Sequence, residues 1–324
     1  MTTSLIPGIY TDYSITGVRY SGSAGTVGIC TVNAADDAGL YIFTSAAEAA
    51  EIYGSASDET KMCTIMFKNG ATVIKASDDT TYAKAAERLL SEPDVKAIVC
   101  ADGTASALAG IKTTLAEAGE EGKYRVCFAD VSGTSEQITT VASGVNHEQF
   151  CLAAGAFGAA AALAALCVSQ KDPAIPFSGA QLFEVECEEN FTNAQLELLI
   201  GAGVTPVRNV GGVCEIVRAV TTKTDNTVWR ELNTILIVCD VIPTIKNVLK
   251  AMFTRAKNTS ATRGAVRTQV MIELDKKKDA GIIDDYADVT VVQNAQDPTV
   301  CDVGFEFAAA SGMQQMMLRA HITV

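Results

Sequence analysis

Residues 26–218 keep switching hydrophobic period, and that switching constrains the fold more than any other feature. Short β-branched or apolar runs fall at Thr26–Val32, Ala97–Cys100 and residues 125–129, 182–185, 205–207 and 213–218. Between them lie stretches of helical period at Ala46–Tyr53 and residues 82–90, 105–118, 135–141, 150–169 and 193–200. Strand and helix in turn predict an α/β layer with a largely parallel sheet, because parallel neighbours need a crossover between them. Local chemistry supports several of these elements. Thr44-Ser45 with Glu48 reads as an N-cap opening Ala46–Tyr53, which closes at Gly54. Asn69-Gly70, flanked by residues 63–67 and 72–75, reads as a β-hairpin turn.

After Thr222 the pattern changes. Residues 226–253 carry one long helical period that Pro243 must kink or break. Residues 262–278 form a second helix, basic on its exposed side, followed by strands over 288–294 and 300–308. At the C-terminus Met316, Leu318, Ala320, Ile322 and Val324 alternate strictly with Met317, Arg319, His321 and Thr323. Such a strand must pair with something. The opening residues alternate more weakly, Ile9, Thr11, Tyr13 and Ile15 against Tyr10, Asp12 and Ser14. Periodicity admits two outcomes for these ends: they close the subunit's own sheet, or they add to a neighbour's sheet edge. The expected division is an extended arm over 1–25, an outer α/β domain over 26–222, a C-terminal α+β domain over 223–314 and a terminal strand over 315–324.

Charge and cysteine usage narrow the function classes. The net charge of −13 opposes nucleic acid as a main partner, since phosphate backbones demand Lys and Arg. Residues 229–281 nevertheless hold ten Lys/Arg against five Asp/Glu, so a basic module sits inside an acidic chain. It is either a docking face for an acidic surface or a solvated helix face. The ten cysteines are evenly spread with no Cys-x-x-Cys, which excludes a local zinc knuckle. They read as reduced core residues of a protein folded in a cytoplasm. Residues 150–168 carry no charge, but their Ala/Gly content fits a tightly packed internal helix better than a membrane span.

A search for chemistry finds no catalytic set. His147 and His321 have no metal-ligand spacing, and no nucleophile elbow, zinc-protease helix or phosphate loop occurs. Asp102-Gly103 follows a strand where an α/β ligand crevice would open, and reads first as a turn. Glu184, Glu186, Glu188 and Glu189 read as a solvated acidic edge, and Trp229 as a packing anchor. No catalytic, cofactor-binding or metal-binding residue is expected.

Several strings, in order, resemble the contractile phage tail sheath family. Pro7-Gly8-Ile9-Tyr10 is similar to its opening, and Phe67-Lys68-Asn69-Gly70 to its Phe-x-Asn-Gly turn. Asp172-Pro173-Ala174-Ile175-Pro176-Phe177 follows a Gly/Ala helix, as in sheaths. Ile216 through Thr222, Trp229-Arg230-Glu231-Leu232, Asp240-Val241-Ile242, Gly281-Ile282-Ile283 and Ala320-His321-Ile322-Thr323-Val324 complete the likeness. Residues 71–74 lack the usual Gly and aromatic residues, the large insertions of long sheaths are missing, and no serine-protease triad is present.

The resemblance implies a structural subunit that polymerises as a six-fold helical sheath around an inner tube and contracts to drive that tube through an envelope. Its implied partners are further copies of itself, the inner tail tube protein, and baseplate and tail terminator proteins, with no nucleic acid and no membrane insertion. Its implied place is a virion tail or phage-tail-like particle assembled in the host cytoplasm. Inter-subunit strand exchange would fall on Ile9, Tyr10, Thr11, Tyr13 and Ile15 at one end and Leu318, Ala320, Ile322 and Val324 at the other. Lys246, Lys250, Arg255, Lys257, Arg263 and Arg267 are the tube-facing candidates. The competing reading is a soluble small-molecule-binding α/β protein or enzyme.

Overall fold

A computed structural model describes residues 25–32, 39–120, 123–187, 191–253 and 255–314. The strand-exchange candidates Ile9 to Ile15 and Leu318 to Val324, with His321, Glu188 and Glu189, lie outside the described residues.

The first strand, β1 (Thr26–Val32), is buried along nearly its whole length, as a central strand covered on both faces must be. An edge strand, β2 (Gly39–Phe43), and two helices, α1 (Ala46–Tyr53) and α2 (Asp58–Lys68), lead to β3 (Val73–Asp79). There follow α3 (Tyr82–Ser91), β4 (Ala97–Cys100), α4 (Ala105–Glu120), β5 (Val126–Asp130), α5 (Ser135–Val145), β6 (Phe150–Ala154) and α6 (Ala159–Ser169). A two-residue β7 (Gln181–Leu182), α7 (Asn193–Gly201), β8 (Val204–Val210) and β9 (Val213–Ile216) complete the layer. The sheet order is β2-β3-β1-β4-β5-β6-β8-β9-β7. Strands β3 to β8 in that order run parallel, and β2, β9 and β7 are antiparallel additions at the two edges. The α/β class expected from the sequence is the observed one.

The sheet buries a different core on each face. One joins Leu89, Leu108, Ile138 and Leu199 from α3, α4, α5 and α7. The other joins Met66 of α2 and Ala159 to Ala165 of α6 to alternate strand residues such as Val27, Ile29 and Phe128. The alanines let α6 lie close against the sheet, which is why a helix of small residues can be wholly interior.

Beyond a 3₁₀ turn at Thr227–Trp229 the chain enters α8 (Leu232–Phe253), α9 (Ser260–Asp279) and a two-stranded antiparallel ribbon, β10 (Ile283–Gln293) and β11 (Cys301–Ala309). Helix α8 has two working faces. Leu232, Ile235 and Val238 enter the core beneath the sheet. Ile237, Val241 and Ile245, spaced i, i+4, i+8, enter a third core with Val270 and Leu274 of α9 and Ile283 and Val289 of β10.

Four sequence expectations are corrected. Residues 63–67 are not a hairpin strand but the end of α2, which Ser57 caps by accepting from Thr60 N. Asn-Gly ends helices as readily as it turns hairpins, and Met62, Cys63, Ile65 and Met66 share one buried helical face. Residues 150–169 are not one helix. Phe150–Ala154 is a strand between β5 and β8, and Gly155 and Gly158, at φ of +108° and +79°, break the chain before α6. Pro243 does not break α8, which continues past it to Phe253. The cysteines are not all free thiols: Cys187 and Cys214 form a disulfide, and the other eight are unpaired.

Candidate functional site

The ribbon β10–β11 is long for a structure with only two strands, and such a pair has little independent stability. Its inner face packs through Ile283, Val289, Tyr286, Phe305 and Phe307 against α8 and α9. Its outer parts expose Val292, Val300 and Val303. Among the described residues each strand pairs only with the other, so both outer edges present unused backbone donors and acceptors.

Helices α8 and α9 meet at an elbow that carries every tube-facing candidate. Between residues 241 and 272 there are six Lys/Arg and no Asp or Glu. Lys246 and Lys250 are exposed on the last turns of α8, and Arg255 and Lys257 are exposed in the turn itself. The arginines of α9 are anchored instead. Arg267 Nε donates to the Val289 carbonyl (2.8 Å), and Arg263 donates to Asn258 Oδ1 (2.9 Å). Asn258 Nδ2 in turn donates to the Pro298 and Val300 carbonyls (2.9 and 3.1 Å), fastening the elbow to the ribbon's loop. The second basic stretch is largely compensated: Lys277 pairs with Asp240, Lys276 with Glu273 and Lys278 with Asp285. Lys278 and Asp285 shift in opposite senses for one reason. Their mutual hydrogen bond raises the lysine and lowers the carboxylate.

The chain leaving β11 crosses back to the α/β layer. Gly312 lies against Pro176, Ser178 Oγ donates to Gln314 Oε1 (2.5 Å), and Gln314 Nε2 donates to Glu231 (3.2 Å), which also pairs with Arg218. Neither this strap nor the Asn258 tie was expected; both rest on single polar residues in loops that carry no periodic signal.

The residues that could have marked a ligand crevice do structural work. Asp102 accepts from Thr104 N (2.8 Å) and Thr104 Oγ1 (3.0 Å), opening α4. At Gly103 any Cβ would stand 1.8 Å from the Asp130 carbonyl oxygen, so backbone fills the space between the ends of β4 and β5. His147 is built into a turn: Gln149 N donates to its Nδ1 (3.1 Å), its backbone N–H donates to Thr222 Oγ1 and its carbonyl accepts from the same hydroxyl (both 2.9 Å). Burial pushes its pKa down. The Trp229 carbonyl accepts from Thr221 Oγ1 (2.6 Å), and its ring packs against the core under the sheet. Glu184 and Glu186 line a cavity of about 350 Å³ with Lys61 and Phe157. Among the described residues no cluster of His, Cys, Asp and Glu could hold a metal, and no helix is long and apolar enough to cross a membrane.

The helical pair, ribbon and strap fall within one family signature: residues 224–323 match the phage tail sheath C-terminal domain. That match covers the last third of the chain. Solved structures share its fold along almost its whole length. The PVC sheath complex of an extracellular contractile injection system, in its contracted state, superposes with a TM-score of 0.75 at 17% identity, covering 100% of this chain and 99% of that one. A chain of the anti-feeding prophage (AFP) baseplate, 6-fold symmetrised, superposes at 0.73 with 16% identity, covering 99% and 100%. The sheath tail protein of Desulfitobacterium hafniense superposes at 0.69 with 9% identity, covering 93% and 100%. No curated protein sequence matches the chain.

Proposed function

We propose that this chain is a contractile tail sheath subunit that polymerises through its ribbon: residues 1–25 of one neighbour and 315–324 of another add as strands to the open edges of β10 and β11. The observation that carries the reading is a two-stranded sheet with both outer edges unpaired among the described residues and with valines exposed beside them. Strand addition supplies main-chain hydrogen bonds that survive rigid-body movement of the rest of the subunit, as contraction demands. Identical head-to-tail contacts of this kind build an open helix rather than a closed ring. Within the subunit, residues 26–222 act as the outer domain and 223–314 as the domain that carries the mesh.

The cationic elbow faces an acidic inner tube in this reading, with Lys246, Lys250, Arg255 and Lys257 making separable, salt-sensitive contacts. Arg263 and Arg267 support the same surface from below, being tied to Asn258 and Val289. Baseplate and terminator proteins bound the two ends of the polymer. The particle is a virion tail or phage-tail-like device, assembled in the host cytoplasm, that drives its tube through an envelope. Electron microscopy of the purified chain and of variants lacking residues 1–24 or 315–324 tests the mesh. Striated cylinders from the full chain and discrete folded subunits from both truncations are expected. Cylinders of normal length from either truncation would overturn strand addition by that end.

A further inference from the structure

The short edge strand β7 and the residues after it form a tongue, 181–187, fastened at three points. Gln181 and Leu182 pair with Glu215 and Cys214 of β9. Asn69 holds Phe183 through two hydrogen bonds, Nδ2 to the Phe183 carbonyl (2.9 Å) and Phe183 N to Oδ1 (3.0 Å). The disulfide from Cys187 to Cys214 is the third fastening. The tongue walls two neighbouring hollows, one lined by Lys61, Phe157, Glu184 and Glu186 and the other reaching Gly212 and Cys214. Its core anchors are Leu182 and Val185, while Phe183 is 54% exposed. Two fastenings are independent of redox state, so the fold stands without the third.

We propose that Cys187 and Cys214 form a reversible redox latch, open as two thiols while the subunit is in a reducing compartment and closed by disulfide exchange once it meets an oxidising one. The two positions are preset for it, with Cα atoms 5.8 Å apart, inside the span a disulfide bridges. They also differ in access. Cys187 is partly exposed at the end of the tongue, whereas Cys214 is 3% exposed beneath it. Most of the remaining cysteines are insulated from the same chemistry. Cys63, Cys100, Cys151 and Cys239 are pushed up to about 12 by burial, and burial raises Cys30, Cys127 and Cys167 as well, which keeps them protonated and inert.

The exchange balances with a small disulfide such as oxidised glutathione as oxidant. The Cys187 thiolate attacks one glutathione sulfur, forming a mixed disulfide and expelling one glutathione thiolate. The Cys214 thiolate then attacks the Cys187 sulfur and expels the second. Two electrons pass to glutathione, and the two protein thiol protons end on two glutathione thiols. Closing the latch removes the tongue's freedom to swing from its Phe183 pin, stiffening the outer edge of the sheet after release from the cell.

The test uses the full chain, fully reduced and then treated with oxidised glutathione, with alkylation mass spectrometry and amide hydrogen exchange as readouts. Oxidation should protect Cys187 and Cys214 from iodoacetamide, join their peptides, and slow exchange over 183–187 by about tenfold, as a locally opening segment does when it is tied down. In Cys214→Ser, which leaves Cys187 without its partner, one glutathione should remain on Cys187. Cys187→Ser/Cys214→Ser should exchange like the reduced wild type with or without oxidant. If both thiols of the wild type stay alkylatable after treatment, or exchange over 183–187 is the same in both states, the latch is overturned.

Discussion

Asn69 stands in for a strand neighbour of Phe183: one side-chain amide both donates to the carbonyl and accepts from the N–H of the same residue, 114 positions away in the chain. Its Nδ2 also donates to the Ile65 carbonyl (2.8 Å), so the amide that ends α2 is only 3% exposed. Asn69→Ala should therefore leave backbone groups without partners and cost about 2–3 kcal/mol, read as a lower urea midpoint. Asn69→Asp keeps the acceptor but not the donor and should still lose part of that. A midpoint unchanged in the alanine variant would mean that water replaces the amide.

Asp130, at the carboxyl end of β5, accepts from Gly158 N (2.8 Å) and Ala160 N (2.7 Å), and so caps the alanine helix α6 from another element. Asp130→Ala should lower stability by about 1–2 kcal/mol, and Asp130→Asn, which retains an acceptor, by less. Equal losses in the two variants, by chemical unfolding, would contradict the capping role.

Asp78 gives a pH dependence of defined sign. It is 2% exposed and accepts hydrogen bonds from Tyr53 Oη (2.7 Å) and Thr31 Oγ1. Burial raises its pKa above the usual carboxylate value, Glu59 adds to the rise, and the Tyr53 hydrogen bond opposes it. A raised folded-state pKa means that the fold prefers the protonated acid. That preference is fully present below the unfolded value, near 4, and is lost as pH climbs through the raised one. Asp78→Asn, which keeps the acceptor and carries no charge, should be at least as stable as wild type at pH 7, with the gap closing at pH 3.5. Urea midpoints at the two pH values check this, and a gap that widens on acidification would refute it.

The elbow gives a prediction about binding rather than folding. Replacing Lys246, Lys250, Arg255 and Lys257 by Glu should leave the unfolding midpoint within about 0.5 kcal/mol per site, because these side chains are exposed. Assembly on purified tubes should fall by about tenfold or more at low salt and converge with wild type as salt is raised. Arg263→Glu and Arg267→Glu would confuse the two effects, since each arginine also braces the fold.

The legible parts of this fold were those in which local chemistry and tertiary packing agree. Thr26–Val32, Ala97–Cys100 and the Ser45-capped helix Ala46–Tyr53 stand where their patterns place them. The errors came where one signal serves two structures. Asn-Gly suits a helix end and a hairpin turn alike, and the Ala/Gly run over 150–169 has no period to divide strand from helix. Strand β2 was missed because its five residues, ending at Phe43, directly precede a helix cap. The α8–α9 elbow was visible as charge, but its ties through Asn258 and Arg267 depend on residues far apart in the chain. The disulfide was invisible because no spacing rule joins cysteines 27 residues apart.

Helix α8 contributes side chains to two hydrophobic interiors at once, Leu232 and Ile235 to one and Val241 and Ile245 to the other. At 22 residues it is a rod about 33 Å long. A pull on the ribbon therefore reaches the sheet along two routes, this rod seated in both compartments and the strap that Gly312 and Gln314 lay against Pro176 and Ser178, so the two compartments must turn together.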